Sequence, residues 1–268
     1  MTDKLFIRYN KVMQKVFEKK MDEVTTKEQY FSVITQAREQ FEKETIDGLS
    51  VERSLRNDIE KEGIDNVLDM ALTVCDMYLP YSLITILHES IGVEGIKHKI
   101  LDETRPEAER ASLINALTGY ETEDITTFLI GYITSVHSDL LKEEASDVLA
   151  TFNKDTVYSR ISDIMSKKQG NEDLLSVLAS MFRQSDKSDS VYRMLREHFL
   201  SAEDKGLVAN IMADLDNAKA VVFLRGYLSR NINDIGKSEI ADICSAISRM
   251  GGNTEDFMKY IPDTASLT

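Results

Sequence analysis

Apolar residues recur three and four positions apart along most of the chain, which is the spacing of amphipathic α-helices. The first such stripe contains Leu5, Phe6, Tyr9, Val12, Met13, Val16 and Phe17. A second stripe, after the possible capping residues Thr25 and Thr26, contains Tyr30, Ile34, Ala37 and Phe41. The two stripes predict an N-terminal helical hairpin or cap over residues 1–48. They suit packing of the hairpin on the rest of the chain, and a homodimer contact through the same helices is the alternative.

Turn-forming residues are scarce, with 3 prolines and 12 glycines among 268 residues. An all-β domain of this length would need many more of them, and βαβ units would need short Val/Ile-rich strands that end in glycine-rich turns. The sequence contains no such strands. With a hydrophobic fraction of 42%, the chain can build a packed core. The sequence therefore predicts an all-α protein.

A helical region that includes irregular repeats is expected over residues 49–103. Its predicted helices cover residues 51–59, 64–78, 81–88 and 96–101, and Pro80 lies at the start of the third. Gly92 and Gly95 are expected to bracket a turn before the last of them. After this region, Thr104 and Pro106 predict the start of another helix, with a capping hydroxyl and an early proline.

From residue 104 to residue 268 the chain is repetitive, with short helix pairs about thirty to thirty-five residues apart. The first helices of the pairs contain residues 111–117, 145–150, 174–179, 207–213 and 240–247. The second helices contain residues 125–136, 157–165, 191–195 and 221–228. Each first helix mixes branched aliphatic with small residues, which allows neighbouring helices to approach closely.

This pattern resembles the HEAT-like repeat branch of the α-solenoids over residues 105–260, and the resemblance extends back to residue 64 if irregular repeats are included. The family's usual proline in the first helix and its Asp and Arg at the turn are mostly absent, so other helical repeats and an irregular helical bundle stay open. The resemblance implies a right-handed α-α superhelix whose second helices line one broad, concave face. It also implies a non-enzymatic scaffold or adaptor that binds a protein or peptide on that face.

Arginine and tyrosine residues are concentrated on the second helices, whereas the first helices carry more acidic residues. The predicted partner-binding residues are Tyr158, Arg160, Tyr192, Arg193, Arg196, Arg225, Tyr227 and Arg230. Guanidinium groups form bidentate hydrogen bonds to carboxylates and phosphates, and tyrosine adds a flat amphipathic contact, so the expected partner has acidic character. The alternative is that these arginines pair with acids of neighbouring repeats and that the tyrosine rings fill the core.

The formal net charge of −14 argues against general nucleic-acid binding, which depends on Lys and Arg neutralising phosphates. Some proteins similar to the HEAT-like family nevertheless bind DNA and excise alkylated bases, and this is the alternative function. The absence of tryptophan and the acidic balance both weigh against it. A helical enzyme with an acid pair assembled in space is a third possibility.

The sequence shows no motif for catalysis, for a metal or for a cofactor, and none of these is predicted. Gly236-Lys237-Ser238 lacks the second glycine and the strand of a phosphate-binding loop, so Gly236 is expected to end a loop before the last repeat helix. Cys75 and Cys244 are interpreted as buried structural thiols. The start of the chain is charged and is not read as a signal peptide, and no apolar run could span a bilayer, so a cytoplasmic protein is expected.

Overall fold

The computed structural model describes residues 2–75 and 78–261. These residues form fifteen α-helices and two paired strands of two residues each, which confirms the all-α class. The first elements are α1 Thr2–Lys20, α2 Lys27–Glu42, β1 Thr45–Ile46, β2 Leu49–Ser50, α3 Val51–Glu62, α4 Ile64–Val74, α5 Tyr81–Leu101, α6 Glu107–Asn115, α7 Glu123–Ser135 and α8 Asp139–Ala150. The later ones are α9 Lys154–Ser166, α10 Glu172–Met181, α11 Ser188–Ser201, α12 Lys205–Leu215, α13 Ala218–Asn231, α14 Lys237–Arg249 and α15 Glu255–Met258.

Two helix starts that the sequence predicted differ in how they are capped. Thr26 caps α2 as expected, because its hydroxyl accepts a hydrogen bond from the Gln29 backbone and the Gln29 side chain accepts one from the Thr26 backbone. The helix predicted after Thr104 begins at Glu107, but the expected hydroxyl cap is wrong. Thr104 instead donates from its hydroxyl to the Asp102 carboxylate at 2.6 Å, which closes a local turn.

The turn expected between Gly92 and Gly95 is a single kink within α5. Gly92 has φ 65° and ψ −179°, a conformation that residues with a Cβ rarely adopt, whereas Gly95 lies inside the helical continuation to Leu101. The helix predicted over residues 64–78 ends at Val74, and residues 76 and 77 lie outside the described residues. So do residues 262–268, the end of the predicted repeat region.

Contacts divide the chain into two compact units. The first comprises Met1–Ile125 and His137–Val148, and the second comprises Thr126–Val136 and Leu149–Thr268. The chain therefore passes between the units within α7, between α7 and α8, and within α8. The divisions near residues 48 and 103 that the sequence suggested stay predictions.

The first unit is held together by the N-terminal hairpin, because α1 packs on α2 and α4 while α2 packs on α3 and α5. Tyr9 of α1 is 1% exposed; its ring contacts the Phe41 ring edge-on at 5.0 Å, and its hydroxyl donates to the backbone carbonyl of Tyr78 at 2.8 Å. Burial raises the pKa of Tyr9. The hairpin thus packs on the helices that follow it, and a dimer contact through its outer face stays a prediction.

The second unit is built from helices that pack on their neighbours along the chain. Helices α10, α12 and α14 pack successively against one another, and α11 and α13 pack on α12 and on each other. At Gly206 of α12, an added Cβ would lie 2.8 Å from Cβ of Asp242 on α14, so only glycine permits this approach. Small residues therefore bring first helices together here, as their repeated occurrence in the sequence predicted.

Both cysteines are buried. Cys75 is 5% exposed and Cys244 is 3% exposed, so each lies in the packed interior as a small apolar side chain. Burial raises the pKa of the Cys244 thiol and so disfavours the reactive thiolate. The interpretation of both residues as buried structural thiols is confirmed.

Candidate functional site

The eight predicted partner-binding residues lie in the second unit, on α9, α11 and α13. Ion pairs connect the first turns of these three helices. Lys187, next to α11, pairs with Asp155 of α9, and Asp189 of α11 pairs with Lys219 of α13 at 2.5 Å. The predicted residues therefore lie on alternate helices that ion pairs join in turn.

The three tyrosine rings of this set belong to the packing of the unit. The Tyr158 ring contacts the Phe182 ring at 5.5 Å, and the Tyr227 ring contacts the Phe199 ring at 4.9 Å. Tyr192 is only 8% exposed, and burial raises its pKa. These rings fix the spacing of the helices and offer little surface to a partner.

Two of the five arginines in the set contact other residues of the fold, and three are exposed to solvent. Arg225 pairs with Asp256 at 3.0 Å and lies over the Phe257 ring, and Arg160 is half-buried with contacts inside the fold. The exposed arginines are Arg193, Arg196 and Arg230. Within residues 2–75 and 78–261, no carboxylate forms a salt bridge with any of these three.

Two exposed apolar side chains lie on the same helices as these arginines, and the sequence analysis identified neither of them as a candidate site residue. Leu200 of α11 is 61% exposed and lies four residues after Arg196, and Val222 of α13 is 75% exposed. Arg196 leans from α11 towards α13, since its guanidinium carbon lies 5.4 Å from the centre of the Phe223 ring. We call Arg193, Arg196, Leu200, Val222 and Arg230 the α11/α13 surface.

One signal for Val222 was present in the sequence. Residues 221–224 are four consecutive apolar residues, Val-Val-Phe-Leu, on one helix. Each step along a helix turns about 100°, so four consecutive side chains cannot all point at the core. Leu224 is buried, and Val222 is the residue that is left facing outward.

A groove of about 490 Å³ lies beside this surface and is lined by residues of α9, α11 and the segment after α9. His198 is one of the lining residues, and its Nε2 lies 2.8 Å from a carboxylate oxygen of Glu172. Burial alone would raise the pKa of Glu172, but the hydrogen bonds from His198 and from the backbone of Glu172, together with the charge of His198, outweigh burial and hold that pKa below its usual range. Ser162 also lines the groove, yet its hydroxyl has no hydrogen-bond partner in the described part of the chain. The serine and the histidine therefore do not form the hydrogen-bonded nucleophile–base pair that activates a hydroxyl.

Two acidic residues one turn apart on α8, Glu144 and Asp147, are partly or fully withdrawn from solvent in the first unit, and an acid pair assembled from distant parts of the chain stays a prediction. Glu144 of α8 is 6% exposed and accepts a hydrogen bond at 2.6 Å from the side-chain amide of Asn115. Burial raises the pKa of Glu144 to about 7 and also raises the pKa of Asp147, despite the ion pair of Asp147 with Lys27 at 2.7 Å. Glu144 can therefore exchange a proton near neutral pH. Its position among forty-six acidic residues gave no sequence signal.

The sequence features that resembled chemical motifs have structural roles. Gly236 occupies the position before α14, as predicted, and its φ of −69° needs no glycine. His88 stacks on the Tyr120 ring and hydrogen-bonds the carbonyl of Ala116, and burial lowers its pKa. No group of three or more His, Cys, Asp or Glu side chains among the described residues is placed to hold a metal ion.

In comparisons with known proteins, no family model, no curated protein and no solved structure matches the chain. No helix within the described ranges is both long and apolar enough to span a membrane.

Proposed function

We propose that this chain is a non-enzymatic scaffold or adaptor of the HEAT-like type, and that its α11/α13 surface binds an acidic segment of a partner protein. The observation that carries the proposal is the set of three exposed arginines, Arg193, Arg196 and Arg230, without a salt bridge to any described residue of a chain with net charge −14. Guanidinium groups bind carboxylates through bidentate hydrogen bonds, so arginines left exposed on two packed helices suit a carboxylate from a partner.

The composition of the surface favours a peptide or protein over an inorganic anion. Helix α13 carries Lys219, Arg225 and Arg230 and no acidic residue. Leu200 lies one turn after Arg196 on α11, and Val222 is exposed on α13 with Arg230, so an acidic segment that also carries an apolar side chain suits these two helices.

A repeat architecture is supported by the spacing of the polar contacts within each unit. Contacts between alternate helices, such as α3 with α5, join residues about thirty positions apart: Arg56 with Glu89, Ser138 with Glu107 and Asn217 with Ser188. In the proposed superhelix the second helices would share one face. A cytoplasmic location is proposed because Cys244 is a buried free thiol, which suits a reducing compartment.

The test uses the whole chain and a fluorescent peptide of glutamates with interspersed leucines. We expect salt-sensitive binding to the wild type, and binding at least about tenfold weaker when Arg193, Arg196 and Arg230 are all changed to Gln, since each exposed ion pair contributes roughly 0.5–1 kcal/mol. The matched control changes the three exposed lysines Lys11, Lys15 and Lys19 of α1 to Gln, which alters the net charge equally. Equal losses in the two triple variants, or no binding to the wild type, would overturn the proposal. Tighter binding to duplex DNA than to the peptide would favour the nucleic-acid alternative instead.

A further inference from the structure

A pocket of about 450 Å³ opens in the first unit, on the side of α1 that faces α2. Its walls include three aromatic side chains: Phe17 of α1, Tyr30 of α2 and Tyr78. The volume falls in the range of pockets that bind small molecules or single side chains. The pocket lies in a different unit from the α11/α13 surface and uses none of its residues. We call it the aromatic pocket.

The aromatic walls are held in place by contacts with one another. The Phe17 and Tyr30 rings are nearly parallel, at 9°, with centroids 6.2 Å apart, and Tyr78 lines the same pocket. The Tyr30 ring also contacts the Phe31 ring edge-on at 5.9 Å. The ring faces are therefore set before any ligand arrives, which lowers the entropic cost of binding.

The charge around the aromatic pocket is negative. Glu18 is the charged residue among the described side chains that line it, and neither Lys nor Arg does so. Burial raises the pKa of Tyr78, and the nearby acidic groups of Glu144 and Asp147 raise it further. An anion would be repelled here, and a cation would be attracted.

The polar groups at the edge are arranged mainly as acceptors. The amide of Asn10 donates to the carbonyl of Val74, and the amide of Gln14 donates to a Glu18 carboxylate oxygen at 3.1 Å. One donor of each amide is thus used inside the fold, and both amide oxygens are acceptors for a ligand.

We propose that the aromatic pocket binds a trimethylammonium group. Aromatic faces attract cations through their quadrupole, and a methylated ammonium ion loses less hydration on entering an aromatic site than a bare ammonium ion does. A metal ion does not suit the pocket, because only one carboxylate lines it and no metal-ligating cluster exists among the described residues. The group can come from a free choline-like molecule or from a trimethylated lysine of a protein.

The experiment titrates the full chain calorimetrically with tetramethylammonium, with choline and with a peptide that contains one trimethyllysine. The neutral carbon analogue of choline, 3,3-dimethylbutanol, has the same shape without the charge. We expect at least one of the three cations to bind and the neutral analogue to bind at least about tenfold more weakly. Binding of the small cations assigns the pocket to a free metabolite, whereas binding of the peptide alone assigns it to a modified protein.

Substitutions of lining residues test whether the cation binds in the aromatic pocket. Tyr30→Leu removes one aromatic face and is expected to weaken binding at least about tenfold, whereas Tyr30→Phe keeps the face and is expected to retain most of the affinity. Glu18→Gln is expected to weaken binding about threefold to tenfold, and the exposed Glu23→Gln is the matched control. If Tyr30→Leu unfolds the chain, Glu18→Gln still tests the proposal because Glu18 is exposed. Failure of all three cations to bind, or equal binding of the neutral analogue, would refute it without bearing on the acidic-peptide test.

Discussion

Replacing the buried Glu144 by Gln is expected to stabilise the protein in alkaline solution and to change its stability little in acid. Glu144 is 6% exposed, and its burial raises its pKa from 4.5 to about 7. The folded state thus keeps a proton on this side chain that the unfolded chain releases. The contribution of Glu144 to the free energy of unfolding is therefore greatest below pH 4.5 and declines as the pH rises to about 7.

The size of the effect follows from the separation of the two pKa values. Each unit of that separation corresponds to about 1.4 kcal/mol, so the ionised Glu144 carboxylate costs the folded state at most about 3.5 kcal/mol. Gln carries no charge and keeps a carbonyl oxygen that accepts from the Asn115 amide, so Glu144→Gln removes the cost and preserves the hydrogen bond. A change of this size is a large share of the roughly 5–15 kcal/mol that stabilises a typical folded protein.

The assay is urea unfolding of wild type and variant, followed by circular dichroism at several pH values between about 4.5 and about 8. The variant is expected to gain stability over the wild type as the pH rises, and to match it at the acid end. The control, Glu143→Gln, changes the neighbouring exposed acid and is expected to shift the free energy of unfolding by no more than about 0.5 kcal/mol at any pH. A difference between Glu144→Gln and wild type that is constant across the pH range would refute the reasoning.

Two further predictions concern the backbone and the thiols. Gly92→Ala is expected to lower the free energy of unfolding by about 1–3 kcal/mol, because φ 65° and ψ −179° are strained for alanine. The control Gly236→Ala, at φ −69°, is expected to change that free energy little. Equal effects of the two variants in thermal melts would contradict this account. Cys75 and Cys244 are expected to resist a thiol reagent in the native chain and to react within minutes in urea, and fast native labelling of either would show that its burial is wrong.

Local signals in the sequence were sufficient for most of the helices. The capping pair Thr26 and Gln29, the spacing of apolar residues and the small residues of the first helices all act within one or two turns of helix, so they are readable without knowledge of the fold. Thr104 failed as a cap because a competing local partner, Asp102, takes its hydroxyl. Gly95 failed as a turn residue because one kink at Gly92 is enough to redirect α5.

The candidate sites depended on tertiary contacts that no local signal reports. The arginines on α11 and α13 could be picked out by type and helix, but whether each is paired is decided by distant residues, such as Asp256 for Arg225. The aromatic pocket joins Phe17, Tyr30 and Tyr78, which are separated by as many as sixty-one positions. Glu144 became distinctive only through burial beside Asn115 of another helix.

The interleaving of the two units along the chain decides how this protein can be dissected. A fragment truncated after residue 125 would lose residues 137–148, and with them the carboxylate partners of Lys27 and Asn115. A fragment truncated after residue 148 would keep residues 126–136 and expose side chains such as Leu129, which are buried in the intact chain. Deletion series would therefore report misfolding at each endpoint, and substitutions in the intact chain are the way to locate its activities.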